Sequence, residues 1–265
     1  MSVRRADGQA ADVRVSRDGA LACRWWLREV PEIRRAAIII DDLGGDLVAA
    51  QKLLALPYPV TFSVLPHLVY SAATAKEAHR AGHEVMLHLP MEPDSAATPG
   101  PGEIRTGMRP AEVARVIGED LDSVPYAVGV NNHMGSRATA DARLMTAVIR
   151  ELVQRRLYLV DSRTTPASVA LDIARREGLP AFYRSVFLDD TETVPYTLGQ
   201  LREFRQAIEE HGVAIAIGHP YASTLSALAR FLPELERDDI QLLPASQLVS
   251  LPEVARLFPP RSASR

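Results

Sequence analysis

The chain has 265 residues, 47% of them apolar, enough to bury a substantial core in one large α/β domain or two smaller ones. Its formal charge of −3 excludes the basic surface that nucleic acid binding requires. A single cysteine, Cys23, excludes an intrachain disulfide and a zinc site built on several thiolates, so any metal must be held by His, Asp, Glu or water.

Met1 to Arg17 is polar, with no apolar run suited to a secretory signal or a membrane helix. Residues 1–35 alternate weakly, through Val13 and Val15 and then Leu21 to Leu27 with Trp25 and Trp26, around Asp18-Gly19; this predicts a short hairpin extension. From Ala36 onward the pattern becomes regular and predicts one domain over 36–265. Strands are predicted near 36–40, 59–64, 84–88, 126–130, 157–160, 182–186, 213–217 and 240–243. Helices fit between them at 46–55, 71–81, 110–122, 141–155, 167–177, 198–211, 222–231 and 246–256. Arg109-Pro110 followed by Glu112 reads as a helix start, and Gly82, Gly178 and Gly212 fall where helix C-terminal glycines belong. Alternating strands and helices imply a mostly parallel sheet or barrel whose functional residues gather at the strands' C-terminal ends.

The strand ends are rich in polar groups. Ile38-Ile39-Ile40 runs into Asp41-Asp42 and then Leu43-Gly44-Gly45. Adjacent carboxylates repel and are costly to bury, so such a pair belongs where a cation or a catalytic proton stabilises one of them. Capping of a helix near Asp46 is the alternative for either acid alone, but only one of the two can be the cap. His88, His133 and His219 each follow apolar runs; two imidazoles and one carboxylate with an open water position form a normal catalytic zinc arrangement. Glu92, four residues after His88 with Pro90 between, is a ligand, a partner for a histidine N–H, or a cap.

The remaining strand ends are read the same way. Asp161 is free to orient a catalytic group if Thr165 caps the helix predicted near Ala167. Arg163 and Arg184 are candidates to hold a carboxylate, a surface ion pair being the alternative. Asn131-Asn132 could hydrogen-bond a substrate or simply end a strand, and Asp189-Asp190-Thr191-Glu192 reads as a solvated acidic loop. His67, His79, His83 and His211 are read as surface or structural. Pro93 to Arg109 is the longest irregular piece and a possible substrate loop or lid. No Walker-type phosphate loop and no Gly-x-Ser-x-Gly elbow is present, which sets aside phosphoryl transfer by that route and serine hydrolysis.

In order, the motifs Ile38-Ile39-Ile40-Asp41-Asp42-Leu43-Gly44, Leu87-His88-Leu89-Pro90-Met91-Glu92-Pro93, Asn131-Asn132-His133-Met134-Gly135-Ser136, Asp161-Ser162-Arg163-Thr164-Thr165-Pro166 and Ile217-Gly218-His219-Pro220 resemble the polysaccharide deacetylase superfamily, most closely its divergent branch. The resemblance implies a distorted (β/α) barrel of about seven parallel strands with a divalent metal, zinc or similar, at its C-terminal mouth. By position it makes Asp41 the base and Asp42 a ligand with His88. Glu92 stands where the main branch has its second metal-binding histidine, so His133 is the preferred third ligand and Glu92 the alternative. His219 is then the proton donor, oriented by Asp161, and Asn132, Arg163, Arg184 and Tyr221 are substrate-binding candidates. The implied substrate is an acetylated saccharide or related envelope component, and the family suggests the periplasm or cell envelope; a catalytically inactive glycan- or envelope-binding protein is the alternative.

Overall fold

The computed structural model describes residues 2–5, 10–17, 20–28, 33–251 and 254. The chain divides into two compact units, Met1–Ile33 and Arg34–Arg265. The first is a three-stranded antiparallel sheet of β1 (Ser2–Arg5), β2 (Ala10–Arg17) and β3 (Ala20–Arg28), in the order β1-β2-β3. It has one strand more than the predicted hairpin, and Asp18-Gly19 lies outside the described residues.

The second unit is built on a parallel sheet. Its strands are β4 (Arg34–Leu43), β5 (Val60–Val64), β6 (Glu84–Met91), β7 (Ala127–Met134), β8 (Tyr158–Asp161), β9 (Ala181–Tyr183), β10 (Val186–Phe187), β11 (Val213–Gly218) and β12 (Ile240–Leu242). Eight of them run in the order β10-β11-β4-β5-β6-β7-β8-β9, and β12 pairs with the first residues of β4. The two ends of that path, β9 and β10, are separated in sequence only by Arg184 and Ser185. The three Cα–Cα steps from Tyr183 to Val186 span at most about 11 Å, so the sheet must curl until its edges nearly meet. The result is an open, curled half-barrel of eight strands.

Helices α1 (Leu47–Leu54), α2 (Ser71–Arg80), α3 (Pro110–Ser123), α4 (Ala142–Gln154), α5 (Ala170–Arg176), α6 (Val194–His211) and α7 (Ala222–Arg237) cover the convex face, and α8 (Ala245–Val249) follows β12. Arg109 N–H donates to the Glu112 carboxylate at the start of α3, and Gly82, Gly178 and Gly212 adopt positive φ just past α2, α5 and α6. Some boundaries moved. The α6 helix starts at Val194 rather than 198, because Thr193 caps it and a proline fits its first turn. Helix α7 continues through Pro233 to Arg237, α5 begins only at Ala170, and α8 ends at Val249.

Strand parity divides the apolar core in two. Ile38, Ile40, Phe62, Leu87, Val130, Leu159 and Ala216 pack with the helices, whereas Ala37, Ile39, Met86, Tyr158, Val160, Phe182, Ile215 and Ile217 meet across the concave side together with Ala245 and Leu248 of α8. Backbone N–H groups of α8 bond Thr61 Oγ1 (3.1 Å) and the Glu84 carboxylate (3.0 Å), close to the N-terminal ends of β5 and β6, so α8 plugs that end of the barrel. Gly129 on β7 makes room for Tyr158, since a Cβ there would lie 2.2 Å from its ring.

Candidate metal and hydrolytic site

The concave parity that carries Ile39, Met86 and Ile217 continues, toward the open end of the barrel, to Asp41, His88 and His219. Asn131 and His133, two residues apart on β7, share that face. Asp41 and Asp42 lie within β4 rather than after it, and neither caps α1; that role belongs to Asp46, which accepts from Val48 N–H at 2.8 Å. In a regular strand neighbours point to opposite faces. Here Asp42 has φ 56°, and the register with β5 shifts between Ile40 and Leu43, a bulge that turns both carboxylates toward His88 Nε2, at 3.6 Å for Asp41 and 3.2 Å for Asp42.

Asn131 organises the centre. Its Oδ1 accepts from Ser63 Oγ at 2.7 Å and faces His88 Nδ1 at 2.8 Å, while its Nδ2 donates to Asp41 Oδ1 at 2.7 Å. With the amide so oriented, His88 carries its proton on Nδ1 and turns the Nε2 lone pair inward. That lone pair, Asp42 Oδ1 and His133 Nδ1 form a nearly equilateral triangle with edges of 3.2, 3.0 and 3.1 Å. Asp42 Oδ1 is buried without a hydrogen bond. Tetrahedral bonds of about 2.0–2.1 Å give donor separations of roughly 3.3 Å, so three electron-rich atoms at this spacing fit a zinc-like cation. Among the described residues, Asp42, His88 and His133 are the group able to hold one. Burial pushes the Asp42 carboxyl up, but His133 and His88 hold it below the usual carboxylate range. Burial disfavours a charged His88, and the charges of Asp41 and Asp42 more than offset that, raising its pKa.

Glu92 stands apart from this cluster. Its carboxylate accepts from Thr106 N–H (2.7 Å) and Thr106 Oγ1 (2.6 Å), and Arg137 reaches it at 3.3 Å. It thereby anchors the 93–109 segment, which Ile104 also ties to Pro90 and Glu92 by backbone hydrogen bonds of 2.8 and 3.0 Å. These bonds stitch the segment to the end of β6.

His219 lies at the mouth with Nε2 3.7 Å from Asp42 Oδ2. The carboxylate that orients it is Asp189, not Asp161. Asp189 Oδ1 faces His219 Nδ1 at 3.0 Å, and its Oδ2 accepts from His219 N–H and Thr224 Oγ1, each at 2.6 Å. Asp189 is 3% exposed, so it does not share the solvated character of Asp190, Thr191 and Glu192. Burial pushes His219 down, yet the bond to Asp189 and the charges of Asp41 and Asp42 lift its pKa to about 9. Tyr221 stacks obliquely on His219, ring centroids 5.5 Å apart.

Asp161 has the opposite strand parity and serves the loop that follows β8: Oδ1 accepts from Arg163 N–H at 2.9 Å and Oδ2 from Ser168 Oγ at 2.7 Å. Asn132 also faces away from the centre. Its amide donates to Met134 O (2.7 Å) and accepts from Ser162 N–H (2.9 Å), so backbone takes both groups and the side chain joins the ends of β7 and β8. Arg163 lies over the Tyr183 ring at 4.0 Å, and Arg184 donates to Ser162 O at 2.7 Å. Sequence reasoning names Asn131 only together with Asn132, as a substrate contact or a strand end, and assigns Asp189 to a solvated acidic loop; their bonds to His88, Asp41 and His219 lie outside both readings. Parity with His133 could have singled out Asn131. Nothing local marks Asp189, because β10 and β11 are neighbours only in the folded sheet.

A family model described as divergent polysaccharide deacetylase matches residues 38–249. The uncharacterised protein YibQ of Escherichia coli (strain K12) is 36% identical over 229 residues, 86% of this chain and 72% of that protein. The crystal structure of an uncharacterised protein, ATU2773, from Agrobacterium tumefaciens C58 superposes with a TM-score of 0.78 at 24% identity, covering 82% of this chain and 89% of that one. The same fold recurs in BA3943, a CE4 family pseudoenzyme from Bacillus anthracis (TM-score 0.56, 12% identity, 84% of this chain and 67% of that one). It recurs again in the catalytic domain of a peptidoglycan N-acetylglucosamine deacetylase from Eubacterium rectale (TM-score 0.51, 15% identity, 81% and 90%).

Proposed function

Since this chain belongs to the divergent polysaccharide deacetylase family, we propose that it is a metal-dependent hydrolase that removes acyl groups, acetyl above all, from a carbohydrate. The observation that carries the reading is the triangle of Asp42 Oδ1, His88 Nε2 and His133 Nδ1 with Asp41 beside it and His219 opposite. A divalent cation on those three residues supplies a Lewis acid that polarises an acyl carbonyl and acidifies water.

The remaining chemistry belongs to the chain. Asp41, fixed by Asn131 and kept apart from the aqueous phase at 3% exposure, takes the proton of the attacking water. His219, held by Asp189 through Nδ1, presents Nε2 to the centre and gives its proton to the leaving amine or alkoxide. Asn131 sets the tautomer of His88 and the position of Asp41 together, so one amide couples the ligand to the base. Tyr221, its ring centroid 5.5 Å from that of His219, is assigned to substrate binding beside the proton donor.

The test is deacetylation of acetylated peptidoglycan fragments, chitooligosaccharides and xylan by zinc-loaded protein. Wild type releases acetate, a chelator stops it, and Asp41→Asn abolishes turnover while retaining the metal. Full-rate turnover by Asp41→Asn would overturn the assignment of the base. A second reading, a glycan- or envelope-binding protein without catalysis, draws on the fold shared with the Bacillus anthracis pseudoenzyme. It requires saccharide binding that survives both chelation and Asp41→Asn, with no acetate released.

A further inference from the structure

Strand β5 lies between β4 and β6, which carry Asp42 and His88, and supplies no proposed ligand itself. Its Phe62 and Val64 pack toward the helices, so Ser63 between them faces the concave side, where it is 0% exposed. The Ser63 hydroxyl reaches across β6 to Asn131 of β7 and donates to its Oδ1 at 2.7 Å. Among the described residues this is the hydroxyl's one partner. A buried serine bound only to the amide that organises the centre is placed to set that amide's orientation.

An asparagine side chain is nearly symmetric in shape but not in hydrogen bonding: half a turn about its last bond exchanges an acceptor for two donors. Two of the three contacts of Asn131 tolerate that exchange. His88 can accept through Nδ1 if its proton moves to Nε2, and Asp41 can donate if its carboxyl is protonated. The inverted arrangement would point an N–H of His88 into the triangle and close it to a cation. Ser63 does not tolerate it. Its oxygen could accept from the inverted NH2 group, but its own proton would then be buried without an acceptor, which is costly. The hydroxyl therefore selects the orientation in which Oδ1 takes Ser63 Oγ and His88 Nδ1, at 2.7 and 2.8 Å, and Nδ2 donates to Asp41 at 2.7 Å.

We infer that Ser63 is a positioning residue of the hydrolytic centre: by holding the Asn131 amide in one orientation it keeps the His88 Nε2 lone pair turned toward Asp42 and His133, and the Asp41 carboxylate in place. The inference deepens the reading of that centre given above and rests on it. Ser63 bonds no proposed ligand and acts through Asn131.

Zinc affinity, read by competition with a chromophoric chelator, tests it without turnover. Ser63→Ala should weaken zinc binding about tenfold to a hundredfold. Because Ser63 acts through the amide, Asn131→Ala should weaken it at least as much, and adding Ser63→Ala to that variant should change nothing further. Unchanged affinity in Ser63→Ala, or losses that add in the double variant, overturns the inference. A second readout needs no metal. The side-chain NH2 signals of Asn131, assigned through bonds in a nitrogen–proton correlation spectrum, should exchange slowly with heavy water in the metal-free wild type. Ser63→Ala should lose that protection while the backbone amides of β5 and β7 keep theirs. Side-chain protection retained in Ser63→Ala overturns the inference as well. A wild type that binds no zinc sinks the metal assignment, and the Asn131 signals then decide the role of Ser63. Zinc affinity that depends on Ser63, without acetate release in the separate hydrolysis assay, sinks the hydrolase reading and leaves the positioning role standing.

Discussion

Asp189 anchors His219 at both its ring and its backbone, with Thr224 as a third donor. A neutral amide at 189 cannot hold an imidazolium in the same way. Asp189→Asn is therefore expected to lower kcat by about 10²-fold or more with little change in KM. The sign of the pH effect follows from the same bond. His219 must carry its proton to act as an acid, and activity is lost as pH rises through its pKa, which the bond to Asp189 lifts. Removing the Asp189 carboxylate removes the largest influence lifting that pKa, so the alkaline limb of the kcat–pH profile moves to lower pH. A profile with an unmoved limb would assign the proton to another group.

At the scale of elements, two close approaches control stability. Gly129 lets β7 pass the Tyr158 ring, which is buried and bonded to Glu84 at 2.8 Å, so the ring cannot retreat. Gly129→Ala is expected to cost about 1–3 kcal/mol or more, read as a lower denaturant midpoint at unchanged m. The second approach joins the 93–109 segment to α3, where Gly102 lies against the Asp120 carboxylate. Asp120 is fully buried, with His67 Nε2 at 2.8 Å on one oxygen and no partner on the other. Burial lifts its pKa to about 7, the His67 contact offsetting only part of the rise. The folded state then binds a proton that the unfolded chain releases near pH 4, so this group's contribution is present below about pH 4 and lost as pH rises through about 7. Asp120→Asn should flatten that decline in a series of unfolding midpoints across pH 4–8; an equally steep decline would place the titration elsewhere.

The whole molecule gathers its proposed ligands from three strands, Asp42 on β4, His88 on β6 and His133 on β7. A cation there would clamp the curled sheet across β5. Ligand linkage at about 100 times Kd adds about 2.7 kcal/mol, which for a chain of this size raises Tm by roughly 5–10 °C. Zinc titration of chelator-treated protein followed by calorimetry checks it. A Tm indifferent to zinc, with no bound metal on elemental analysis, would remove the cation from the site. Among the described residues no helix is long and apolar enough to cross a membrane.

The linear chain determined the repeating element order, most helix limits and the parallel sheet, because period-2 and period-3.6 apolar patterns and terminal glycines are local properties. It also marked Asp41, Asp42, His88, His133 and His219, each at the end of an apolar run. Tertiary structure alone decided which of these face one another. A bulge at Asp42 overrides strand alternation, and the proximity of β10 to β11 hands His219 to Asp189 in place of Asp161. Parity sends Asn131 inward and Asn132 outward, and curling of the sheet brings its two edges, β9 and β10, together. Partnership across a sheet depends on register and closure, and neither is written in the spacing of residues along one strand.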